Sequence, residues 1–140
     1  MPMFPGPTAA ITFAAIKFGG YTAFAHVLTA KTSVKVDPLP FGIAKTTAGF
    51  LTNLLSLPLY GALASDVTPS VALVLTVLVP IRWITWLAVL RVCTRQNALR
   101  PQWLPGVAAA GVAWSFSLDA AMWLFSQAFS WFPGMTMPVC

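Results

Sequence analysis

The sequence predicts an all-α protein: a four-helix transmembrane bundle with both termini outside and short loops. Three observations predict it. Of the 140 residues, 58% are hydrophobic and only 8% are charged, against about a quarter charged in an ordinary soluble domain. The hydrophobic residues gather in four windows long enough to cross the roughly 30 Å hydrocarbon layer of a bilayer. The basic residues concentrate in two of the three connections between those windows. Eight Lys/Arg and three acidic residues, all Asp, could not cover the surface of a soluble domain this size, and the hydrophobicity excludes a disordered chain. Residues 1–140 read as a single integral membrane domain.

The first span covers about residues 8–30, after Pro2, Pro5 and Pro7, which prevent a helix from propagating upstream. Residues 1–16 carry no charged side chain and the apolar stretch continues past Lys17. A retained span is therefore expected, since a cleaved signal peptide needs a basic leader and a short apolar core. The second span, about 41–64, follows the breaker Asp37-Pro38-Leu39-Pro40. The third, about 69–92, opens on Thr68-Pro69, a hydroxyl cap with proline at the first helical position. The fourth, about 104–132, stops at Pro133-Gly134. Pro58 and Pro80 each remove one helical hydrogen bond, freeing the carbonyls of Leu54 and Thr76, and predict kinks.

Orientation follows from charge. Lys31 and Lys35 lie in the first connection, and Arg91, Arg95 and Arg100 lie in or beside the third. The N-terminus, the 65–68 connection and the tail after Pro133 carry no Lys or Arg. The positive-inside rule then places loops 31–40 and 93–103 in the cytoplasm, with the bacterial inner membrane as the expected location. Trp103, Trp131 and Tyr60 fall where interfacial aromatics belong. Cys93 and Cys140 end on opposite sides, so they cannot pair within one chain. The net charge of +5 is the by-product of this retention. No basic run interleaved with aromatics accompanies it, so no nucleic-acid partner is expected.

Helices in lipid associate through small residues and interhelical hydrogen bonds. The spacing predicts packing stripes at Ala15, Gly19 and Ala23 in the first span and at Ala44, Ala48, Thr52 and Ser56 in the second. In the fourth it predicts Gly106 and Ala110, with Ala113, Ser117 and Ala121 after them.

A charged residue at mid-membrane costs about 3 kcal/mol on insertion scales and therefore faces protein or water. Counting the rise per residue from the outer end places Lys17 roughly 13 Å deep, Asn53 and Asp119 roughly 17 Å, and Arg82 roughly 18 Å. These four form one candidate polar layer. Arg82 is the expected partner of Asp119, because a guanidinium forks onto a carboxylate as lysine cannot. His26 falls near the cytoplasmic interface, half a helical revolution from Lys17, and reads as a polar helix end. Arg91, Arg95 and Arg100 are candidate contacts for lipid headgroups as well as orientation signals.

With one histidine, no glutamate and a single deep carboxylate, the chain offers no paired acids, no nucleophile with a base and no metal set, so no enzyme, cofactor or metal site is expected. The preferred reading is a non-enzymatic accessory or interaction subunit of a membrane assembly, its partners the bilayer and a larger complex or further copies of itself. The alternative is a small oligomeric transporter or channel component for an anion or a proton-coupled solute, using Lys17, Arg82 and Asp119.

Overall fold

The computed structural model describes residues 7–32, 34–63, 71–94 and 102–128, with no strand among them. Four helices run in chain order: α1 (Pro7–Lys31), α2 (Pro38–Leu63), α3 (Val71–Cys93) and α4 (Leu104–Ala128). They close a ring in which α1 packs on α2 and α4, and α3 packs on the same two helices. Among the described residues, one segment, Ala10–Lys31, is long and apolar enough by itself to cross a membrane.

Helix bounds follow local chemistry. α2 starts at Pro38, earlier than the breaker at 37–40 implied. Prolines in a first turn are tolerated because their missing N–H would find no intrahelical acceptor there. The turn closes when the Phe41 N–H donates to the Asp37 carbonyl at 3.2 Å. α2 and α3 both continue through Pro58 and Pro80. Between α1 and α2, the Thr29 hydroxyl accepts the Val36 N–H at 3.3 Å, and Val34 and Val36 are buried under the helix ends.

Polar residues set which face of α1 looks inward. Phe13, Lys17, Tyr21, Ala25 and Leu28 are buried, whereas Ala15, Gly19 and Ala23 are exposed. The predicted stripe is thus on the wrong side of α1. It is offset by two residues from Lys17, which at 100° per residue is about 200° of rotation, so burying the lysine turns the small residues out. On α4, Gly106, Ala110, Ala113, Ser117 and Ala121 are exposed, and the buried face is Ala108, Gly111, Val112, Ser115 and Met122. On α2, Ala44 and Ala48 do pack against the core.

Close approach occurs at glycines the stripes omitted. A Cβ on Gly111 would overlap the fully buried indole ring of Trp86. A rigid ring cannot retreat as a flexible chain end can. Gly111→Ala is therefore expected to lower stability by about 1–3 kcal/mol through overpacking, while Gly106→Ala, whose Cβ meets nothing within 4 Å, is expected to be neutral or slightly stabilising. Thermal unfolding followed by circular dichroism distinguishes the two.

Candidate functional site

The interior of the bundle is polar at its centre. Lys17, Lys45, Arg82 and Ser115, one from each helix, are all buried. Asp119, one turn beyond Ser115 on α4, receives Lys17 Nζ on Oδ1 and Arg82 Nη2 on Oδ2, the latter at 2.5 Å. One carboxylate thus joins α1, α3 and α4. Arg82 takes a single oxygen and does not fork, because the lysine ammonium occupies the other. The guanidinium carbon sits 4.3 Å from the centre of the Phe116 ring, where the ring face favours a cation.

A second set of contacts lies beside this ion triad. Trp86 Nε1 donates to Ser115 Oγ at 3.0 Å, and the Tyr21 hydroxyl meets the same oxygen at 3.3 Å. Lys17 Nζ also donates to the Ser115 carbonyl at 3.4 Å. Lys45 Nζ donates to Thr85 Oγ1 at 3.2 Å, and that hydroxyl donates in turn to the Arg82 carbonyl at 2.9 Å. The ammonium lies 5.5 Å from the centre of the Tyr21 ring and 5.0 Å from that of Trp86.

These groups border a cavity of about 40 Å³ whose wall includes Lys17, Lys45, Thr46, Gly49, Arg82 and Thr85. Arg82 Nε, Arg82 Nη1 and Thr46 Oγ1 are buried and find no hydrogen-bond partner among the described residues. Three basic groups surround one carboxylate, and Asp119 is not among the residues that line the cavity. The wall is accordingly cationic, with its balancing charge behind it.

Of the residues singled out from sequence, the structure brings Lys17, Arg82 and Asp119 into one cluster. The side chain of Asn53, on α2, lies outside the described residues. Arg91 is exposed at the end of α3, and Arg95 and Arg100 also lie outside the described residues. His26 is exposed on α1, away from the cluster. Lys45 is the buried cation that the candidate polar layer leaves out. Its four-residue spacing from Gly49, and Gly49's from Asn53, places all three on one face of α2. Comparison with known proteins gives no match to any family model, curated protein or solved structure.

Proposed function

We propose that the chain is an integral membrane protein of the bacterial inner membrane, a four-helix bundle with both termini outside, that serves as a non-enzymatic subunit of a membrane assembly. The observation that carries this reading is the inverted polarity of the bundle. Lys17, Lys45 and Arg82 are buried and Asp119 nearly so, while Ile11, Val27, Leu51, Leu54, Ile84 and Leu124 are each more than half exposed. Water would penalise both choices. Hydrocarbon favours both, since it accepts apolar side chains at no cost and drives ions toward one another.

The non-enzymatic part rests on how the reactive groups are engaged. Asp119 is held by two cations, so it is not available as a base. The Ser115 hydroxyl is shared by Trp86 and Tyr21, and no imidazole adjoins it among the described residues. The exposed apolar surface then has two fates, lipid and the helices of partner subunits.

Topology is tested by thiol labelling of single-cysteine variants in intact cells. Cys140 is expected to react with a membrane-impermeant maleimide, and Cys93 only after permeabilisation. The opposite pattern overturns the orientation. Release of the protein by alkaline carbonate washing overturns the membrane reading itself.

A further inference from the structure

We propose that the cavity bordered by Lys45, Arg82 and Thr46 is a binding site for a small monovalent anion. Its charge partners are the ammonium of Lys45 and the guanidinium N–H groups of Arg82 that Asp119 does not engage.

The inference starts from unpaired donors. Arg82 is buried, with only 7% of its side chain exposed. It uses one terminal nitrogen on Asp119, and its Nε and Nη1 have no acceptor among the described residues. A buried polar group without a partner costs about 1–3 kcal/mol, more when it is charged. Thr46 Oγ1 is in the same condition, and both residues line the same cavity. Unpaired groups on residues that share one cavity point to an occupant that accepts hydrogen bonds.

Charge says what kind of acceptor. Water would satisfy the N–H groups and leave the charge unbalanced. Lys17 and Arg82 share one carboxylate, so at least one positive charge is in excess, and Lys45 adds a third basic group on the cavity wall. Lys45 has no carboxylate partner among the described residues. Thr85 and the faces of Tyr21 and Trp86 hold its amine in place, so the basic group is positioned there before any ligand arrives. An anion bound between Lys45 and Arg82 supplies both the lone pairs and the missing charge.

Volume sets the size. A water needs about 10–15 Å³ of such space, so a cavity of about 40 Å³ takes a halide or a carboxylate of few heavy atoms. Gly49 provides an independent handle. It lines the cavity one turn from Lys45, and a Cβ placed there meets nothing within 4 Å. Gly49→Ala therefore removes room without touching a basic group, and alanine is the better helix former by about 1 kcal/mol.

The test uses the full-length protein purified in detergent with gluconate, which is too bulky to enter, as the only small anion. Sodium formate or sodium chloride replaces sodium gluconate at constant ionic strength while tryptophan fluorescence and the melting temperature are followed. A saturable response to formate or chloride is expected, formate being tighter if the occupant is a carboxylate and chloride if it is a halide. Lys45→Met is expected to weaken that response by ~10-fold, the scale of one lost charge-assisted hydrogen bond, and Gly49→Ala is expected to weaken it too, through the room its methyl group takes. Absence of any saturable response beyond that of gluconate overturns the site. So does a wild-type response in Gly49→Ala, which tests the cavity even if Lys45→Met fails to fold.

Discussion

Asp119→Leu is expected to be the most damaging substitution of a charged residue, lowering stability by about 3–5 kcal/mol. The reason is asymmetry within the triad. Removing the carboxylate leaves both Lys17 and Arg82 buried without a counter-charge, and breaking a buried pair by deleting one partner costs about that much. Lys17→Met removes one cation and leaves Asp119 still paired with Arg82. Its loss is expected to stay near 1–2 kcal/mol, the scale of one hydrogen bond to a charged group. Replacing all three, as Lys17→Met, Arg82→Met and Asp119→Leu together, removes every charge of the triad. Stability is then expected to recover most of the loss, because a buried ionic cluster is often worth no more than hydrophobic residues of similar volume.

The measurement is the unfolding midpoint in a fixed detergent for the wild type, the two single variants and the triple variant. A triple variant as unstable as Asp119→Leu would show that the triad contributes net stability and not only charge balance. A recovered triple variant would separate two roles of the same residues. Bundle stability would survive the loss of the ions, while anion binding at the neighbouring cavity, which needs Arg82, would not.

The triad shows what a sequence of this composition makes legible. Three charges inside apolar segments can be assigned a depth from the rise per residue alone, and residues of equal depth on different helices meet if they face inward. That logic fails for Lys45 for a geometric reason. Its Cα stands seven residues from the start of α2, about 10 Å along the axis, which counts as interfacial. The four-carbon side chain then carries the amine away from its own Cα level, as long basic side chains commonly do. Depth counting locates Cα atoms, and lysine chemistry happens several ångströms away.

Rotational phase was the second gap. Small residues at four-residue spacing predict the packing faces, yet on α1 and α4 they point outward. When one helix carries both a small-residue stripe and a charge, the two compete for the interior. The charge has more to lose outside, so Lys17 and Asp119 fix the phase and the alanines follow. The helices themselves were readable because long apolar windows bounded by proline leave few alternatives. Among the bounds with described residues on both sides, the start of α2 differs most, at a proline-rich turn where two rules about proline oppose each other.

Trp86→Ala is expected to be the most damaging core substitution, costing about 3–5 kcal/mol by cavity formation. Trp86 is fully buried and is the point at which all four helices meet. From α1, Tyr21 and Phe24 approach its ring edge-on, with centroids at 5.7 and 4.9 Å. From α2, Phe41 lies at 5.7 Å and the Lys45 ammonium stands over the ring. From α4, Gly111 makes room for the indole and Ser115 accepts its N–H. Trp86→Phe isolates the polar part, because the smaller ring keeps most aromatic contacts and loses the donor. Its expected cost is about 1–2 kcal/mol, combining one hydrogen bond with a small volume deficit. The ring also forms one wall of the Lys45 environment, so Trp86→Ala frees the ammonium to change position. It is then expected to weaken formate or chloride binding by more than Trp86→Phe does. Equal losses of affinity in the two variants would mean that the N–H to Ser115, and not the ring face, positions Lys45.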